Sequence, residues 1–448
     1  MIDMTKGKPS KLILYFAFPM ILGNIFQQVY NLVDTIVVGK FIGSNALAAV
    51  GSSFAIIVFI TSIIIGLSMG VSVLLSQFYG AKELEKMKET IITATIVIGF
   101  VTIILMIVSL MFIDNILALF NMLQQLIEDS KSYLIIILVG LLFTYVYNLG
   151  TALLRAIGDS KRPLYFLIIS SVINIFLDLI FVINLNLGVK GVALATIIAQ
   201  GVSAILVVIY ISKKVTFIKF TIKDIKFKKE SFLLVIRYSV LTSIQQSIMN
   251  LGILIVQGLV NSFGVVVMAA FAAAVKIDSF AYMPVQDFGN AFSTYVAQNK
   301  GANLEERIID GIKSAGKVII IFSIITTSLV LIFSKNLMLL FVNKGESEVI
   351  RIGVEYISIV AIFYFLIGFL FMFYGLFRGL GELKTSILLT IASLGTRVIL
   401  AYILAETILM EKGIWFSVPI GWALADTIGI IFLNKYKKSR NRMIVTKK

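Results

Sequence analysis

The chain has 448 residues, of which 59% are hydrophobic and only 14% charged, with a mean hydropathy of +1.01; no soluble fold can hide that much apolar surface. It contains neither cysteine nor histidine, which excludes disulfides, thiolate chemistry, haem ligation by histidine and the usual zinc sites. The net charge of +15 raises the question of a nucleic-acid partner, which the placement of the basic residues answers below.

A polar stretch, Thr5 to Ser10, is followed by twelve apolar runs near 11–38, 46–77, 91–113, 132–155, 163–186, 191–212, 231–260, 266–298, 313–334, 352–377, 384–409 and 413–434. Each is long enough for a helix to cross a hydrocarbon core of about 30 Å at ~1.5 Å per residue. The runs are continuously apolar instead of alternating, so they predict an all-α integral membrane protein and not a barrel. The first run is too long for a signal-peptide core and lacks a persuasive cleavage site, so the first helix is expected to be retained.

An ionisable group inside a span costs roughly 2.5–3.5 kcal/mol on insertion scales, so each one needs a reason. Span one carries Pro19, a candidate hinge, and then Gln27, Tyr30, Asn31 and Asp34, spaced at three and four residues so that they share one face. Spans five and six form a hairpin around Asn184 to Lys190. With Leu187 at its tip, Asp178 lies nine residues before and Thr196 nine after, both about 13 Å below the turn by helix rise. Asn174, four residues before Asp178, shares its face one turn deeper. Asp34 belongs to the same half of the membrane. Carboxylate, amide and hydroxyl oxygens at matching depth make a candidate site for Na⁺ or for a shared proton. Hydrogen bonding between helices is the structural alternative for each of these residues taken singly.

The basic segment 213–230 separates spans six and seven and reads as a linker. Span seven presents Gln246, Asn250 and Gln257, a polar face comparable to that of span one and a candidate wall for a bulky cation. Span eight holds Lys276 and Asp278, for which a structural or gating role is expected. Pro284 in the same span predicts a bend, and Asp287 follows it. Arg397 and Asp426 complete the set of charges within spans.

The two halves repeat one another. Gly43 to Ala49 and Gln77 to Ala81 recur as Gly264 to Ala270 and Gln298 to Ala302, both displaced by 221 residues, and Tyr133 through Lys161 recurs at an offset of 223 as Tyr356 through Lys384. The expected organisation is therefore an amino-terminal six-helix lobe (1–212), a cytoplasmic linker (213–230) and a carboxy-terminal six-helix lobe with a basic tail (231–448). Parallel repeats of this kind suit a transporter that rocks two bundles about a central cavity. The repeat is not perfect at the candidate site: Asn174 and Asp178 correspond to Arg397 and Ala401, and Asp34 corresponds to Ile255. A cation site is expected in one lobe only.

On a twelve-span topology one side collects 27 Lys and Arg residues and the other seven. By the positive-inside rule both termini lie in the cytoplasm of a multi-pass cell-membrane protein. The charge is thus explained by topology and contact with anionic lipid rather than by nucleic acid. No Gly-x-x-x-x-Gly-Lys-Ser/Thr pattern occurs, so the energy for transport must come from a gradient.

Pro19-Met20, Gln27-Gln28, Asn31 and Asp34, followed by Gly43-x-x-Ala46-Leu47-Ala48-Ala49-Val50-Gly51 and Gln77-x-x-Gly80-Ala81, closely resemble multidrug and toxic compound extrusion (MATE) transporters over essentially the whole chain. The resemblance implies two six-helix lobes around a cavity from which cationic drugs leave in exchange for H⁺ or Na⁺. Asp34, Asn174, Asp178 and Thr196 look like the amino-lobe cation site of the DinF-like branch. The branch with a carboxylate in the seventh span is not matched, because that span offers amides and no Asp or Glu. The expected function is a monomeric, cofactor-free secondary antiporter of lipophilic organic cations. A lipid-linked oligosaccharide flippase of related fold is the alternative, for which Arg397 and Lys276 are the available cations. A membrane enzyme would need a nucleophile or metal set that a chain without histidine and cysteine does not supply.

The absence of cysteine makes the orientation directly testable. Lys190→Cys and Lys412→Cys should react with a membrane-impermeant maleimide added to intact cells, whereas Lys86→Cys and Lys300→Cys should react only after permeabilisation. The reverse pattern would invert the topology.

Overall fold

The computed structural model describes residues 2–120, 122–215 and 228–445. Most of the expected 213–230 linker, residues 216–227, lies outside them. The described chain is almost wholly helical: α1 Pro9–Val37, α2 Ser44–Gly80, α3 Leu84–Met111, α4 Ile113–Leu119, α5 Ile127–Val139, α6 Leu141–Ala156, α7 Lys161–Leu179 and α8 Gly188–Lys214, then α9 Lys229–Asn261, α10 Val265–Gly301, α11 Glu305–Met338, α12 Ser347–Ala361, α13 Tyr364–Leu380, α14 Leu383–Ala405 and α15 Glu411–Val445. Ten helices are long and apolar enough to cross a membrane singly, and twelve spans result when two bent pairs are each counted as one. This is a multi-pass, all-α membrane fold.

Spans four and ten are not the single helices that their apolar runs suggest. α5 and α6 meet at 43°, and α12 and α13 at 54°, at equivalent places in the two halves. Each bend frees backbone carbonyls that hydrocarbon cannot solvate. In the second half the Thr327 hydroxyl donates to the Ala361 carbonyl at 2.7 Å, and the Phe363 amide turns back to Val360 at 3.0 Å. In the first half the Gly140 carbonyl accepts from the amides of Phe143 and Thr144. The bend expected at Pro284 takes a different form: α10 runs unbroken through it, as α1 does through Pro19. A helix this long retains enough neighbouring hydrogen bonds and packing to carry the one that a proline removes.

The repeated turn after Arg155 and Arg378 has the same construction twice. Gly158 and Gly381 both sit at φ +83°, a conformation that favours glycine. In each, the following amide closes back on the helix, Asp159 to Leu154 and Glu382 to Phe377, both at 2.8 Å. The Asp159 carboxylate then accepts from the Arg162 amide at 3.2 Å, at the start of α7.

The contacts divide the chain into two compact units, one of residues up to Lys6, Tyr15–Ser247 and Gly301–Asn303, the other of Gly7–Leu14, Ile248–Lys300 and Leu304–Lys448. The first unit therefore keeps the start of α9 together with the first six spans, except for the opening turns of α1. The reason is a glycine seam on α2. A Cβ at Gly66 would lie 2.4 Å from the Ser243 Cα, and one at Gly70 would lie 2.3 Å from the Tyr238 carbonyl oxygen. Backbone meets backbone there, as in helix pairs within membranes that use small residues four apart. In the second unit α10 and α13 approach in the same way at Gly289 and Gly375.

Gly70→Val should therefore separate α2 from α9 and destabilise the fold by about 1–3 kcal/mol. Gly51→Val, where nothing lies within 4 Å of an added Cβ, should leave the melting temperature in detergent unchanged. Equal melting temperatures for both variants would contradict the seam.

Candidate ion and substrate site

Asp34 and Asp178 each stand just before a π-helical turn, Val38–Ile42 after α1 and Ile180–Asn184 after α7. The wide hydrogen bonds that define these turns are Gly43 to Val38 at 3.1 Å and Leu185 to Ile180 at 3.0 Å. Such turns insert an extra residue and re-aim the side chains around them, and they recur at functional sites. Val37, Val38, Ala46, Val182, Val189 and Val192 form a buried cluster over the two turns, with Val33, Leu47 and Tyr133 packed against it.

Asp178 is fully buried, Asn174 is 2% exposed, and Asp34 is half-buried. The Asp34 and Asp178 carboxyls contact one another within hydrogen-bonding reach. Among the described residues, both oxygens of Asp178, Oδ1 of Asp34 and both amide atoms of Asn174 are buried without a further hydrogen-bond partner. Left so, each such group costs about 1–3 kcal/mol, and charged ones more. The arrangement calls for a positive charge between the acids. A shared proton makes one acid the donor to the other. Na⁺ would take the same oxygens, and the donor set, two carboxylates and an amide, is hard and oxygen-only, as such a cation requires.

Thr196 does not join the hydrogen bonding. Its hydroxyl donates to the Val192 carbonyl one turn back on α8, at 2.9 Å, as hydroxyls within helices commonly do. Only its oxygen lone pairs remain for a cation. The structure instead adds Tyr133 of α5, which lies in the electrostatic field of Asp34, Tyr30 and Asp178. Tyr147 of α6 lies close to Tyr30. Neither is marked by its place in an apolar run, yet Tyr133 recurs in the repeat as Tyr356, a signal that could have singled it out.

On α1 the Tyr30 hydroxyl and Gln27 are joined by a hydrogen bond, and the Asn31 carbonyl accepts from the Thr35 hydroxyl at 2.8 Å. On α9 Gln257 donates to Asn261 at 2.9 Å, while Gln246 and Asn250 are half-buried. In the second unit Lys276 is exposed, its ammonium 6.0 Å from the centre of the Phe341 ring. Asp278, two residues on, accepts from the Tyr356 hydroxyl at 3.2 Å. The pair thus separates, as residues two apart on a helix must. Asp287 and Asp426 are buried at 4% and 5% exposure.

The MatE family model matches residues 19–180 and 240–403. A probable multidrug resistance protein of Bacillus subtilis strain 168, YoeA, is 30% identical over 439 residues, covering 95% of this chain and 94% of that protein. The multidrug export protein MepA of Staphylococcus haemolyticus strain JCSC1435 is 21% identical over 440 residues, covering 98% and 95%. Among solved structures, a multidrug resistance MATE family transporter of the MOP superfamily in an outward-facing conformation superposes with a TM-score of 0.90 at 24% identity, covering 100% of this chain and 98% of that one.

A cation held only by the folded site stabilises the fold by mass action, about 2.7 kcal/mol at a hundred times its dissociation constant. The melting temperature of the wild type should rise with added Na⁺ or with falling pH, and Asp178→Asn should be folded and lose that response. A melting temperature indifferent to both cations in the wild type would count against the site.

Proposed function

This chain belongs to the MatE family, and from that membership we propose that it is a secondary multidrug efflux antiporter, exporting lipophilic organic cations in exchange for H⁺ or Na⁺. The observation that carries the reading is the acid pair of half-buried Asp34 and buried Asp178, in mutual contact, with Oδ1 of Asp34 and both oxygens of Asp178 lacking any other partner among the described residues. A purely structural pair of polar residues would satisfy each other's hydrogen bonds. Two acids cannot do so without a cation from outside the chain.

The link between ion and drug runs along α1. Asp34 lies seven residues from Gln27, two turns along the same face, with Tyr30 and Asn31 between them. Neutralising Asp34 and Asp178 lets the end of α1 settle against α7, and the same movement displaces the polar face offered to the drug. Coupling then requires only that the cation and the drug prefer different states of this helix. Each tenfold difference in affinity supplies about 1.4 kcal/mol of coupling. The export direction follows from cytoplasmic termini and an ion gradient directed inward. The donors of the site lie within one unit, so a monomer suffices.

The test is transport of ethidium in proteoliposomes under an imposed Na⁺ gradient or pH gradient, each applied alone. One gradient should drive transport, and Asp178→Asn should abolish it while the purified protein keeps its melting transition. Undiminished transport in Asp178→Asn would overturn the site, and no transport under either gradient would overturn the function.

A further inference from the structure

Where α11 ends and α12 begins, the second unit encloses a cavity of about 580 Å³, within the range of ~300–1,000 Å³ in which small ligands are held. Every titratable residue that lines it is basic: Lys335 from the last turn of α11, Lys344 from the connection and Arg351 from α12. Ser347 adds a hydroxyl, and Leu339 and Ile350 give the cavity an apolar wall. On the twelve-span topology the charge-poor side has seven Lys and Arg residues, and three of them meet here. The duplicated scaffold does not require this. At the offset of 223 that relates α12 to α5, Arg351 corresponds to Glu128, so the first half carries the opposite charge at that position.

The three cations are not equivalent. Arg351 is held on its own helix, bidentate to Glu348 at 2.7 and 3.0 Å and 3.4 Å from Glu355, and Glu355 is tied in turn to Lys412. Lys335 and Lys344 are exposed, and among the described residues neither ammonium makes a hydrogen bond or an ion pair. Two unpaired like charges on one cavity repel one another, and an anion between them is attracted to both. The neighbouring residues decide what kind of anion. Ile332 and Phe333 before Lys335, and Leu340 and Phe341 after it, are between 46% and 74% exposed, an apolar surface suited to hydrocarbon and not to water. A cationic cavity next to such a surface fits a headgroup whose chains lie in the adjacent bilayer.

We propose that this cavity is a binding site for the headgroup of an anionic phospholipid. Lys335 and Lys344 take the phosphodiester oxygens, Arg351 adds positive field while it stays on Glu348, and the chains leave along Leu339 toward the exposed Leu340. A zwitterionic headgroup suits the cavity less, because no carboxylate among the lining residues meets its ammonium. Inorganic phosphate shares the recognised group but leaves the apolar wall unused. The site lies wholly within the second unit and stands whether or not the first unit couples an ion to transport.

In the experiment the purified full-length protein is titrated with dioleoyl phosphatidylglycerol or dioleoyl phosphatidylcholine in micelles of a neutral detergent, and retained lipid is followed by native mass spectrometry. The wild type should retain phosphatidylglycerol in preference to phosphatidylcholine. The double variant Lys335→Gln/Lys344→Gln should weaken phosphatidylglycerol binding roughly tenfold or more, the scale of two lost charges at a membrane surface, and leave phosphatidylcholine unchanged. Lys335→Arg/Lys344→Arg, which keeps both charges, should keep the preference. Lys190→Gln, on the same charge-poor side but outside the cavity, should not alter it. In the wild type itself the preference should shrink as salt is raised, a reading that needs no variant. Equal retention of the two lipids by the wild type, or a double variant that binds phosphatidylglycerol as the wild type does, overturns the site. Displacement of the lipid by inorganic phosphate at equal concentration overturns the lipid assignment in favour of a soluble anion.

Discussion

Two carboxyl groups facing one another in hydrocarbon are the constraint around which the first unit is built. Among the described residues Oδ1 of Asp34 and both oxygens of Asp178 have no partner beyond the contact between the two acids, and in a medium of low dielectric such a pair is tolerable only with a positive charge between the acids. The π turns at Val38–Ile42 and Ile180–Asn184 follow the two acids on their helices, and a buried valine cluster packs around those turns. Acids left without partners by the protein have oxygens to offer a cation, whereas a satisfied network would only hold helices together.

The second unit handles the same problem in the opposite way. Where the first half has an amide beside two acids, the second has Arg397, and its acid, Asp278, comes from a different helix and is held by tyrosines. The duplication therefore preserved the scaffold, down to the matched glycine turns at φ +83° and the bent spans at equivalent positions, while the polar chemistry diverged. Packing at backbone distance, at Gly66 and Gly70 on α2 and at Gly289 and Gly375 between α10 and α13, tolerates little change. The polar positions changed instead, from the buried amide of Asn174 to the half-buried guanidinium of Arg397.

Much of the candidate site was legible before folding. Helix rise alone places Asp178 and Thr196 at one depth, and helical periodicity puts Asn174 with Asp178 and Gln27 with Asp34. Depth, however, leaves the donors undecided. Thr196 turned its hydroxyl to its own backbone, a choice within reach of any serine or threonine in a helix. Tyr133 entered the site because α5 bends away from α6 and packs on the valine cluster, which no run of apolar residues announces.

By itself the sequence determined the solvent, the number of spans, the duplication and the depth of each charge, because these depend on composition and on the fixed rise of a helix. The tertiary structure decided which polar groups meet, which are left without a partner and where spans bend. Those outcomes depend on the rotation of each helix about its axis and on the neighbour it packs against, and the side chains of several helices set them together.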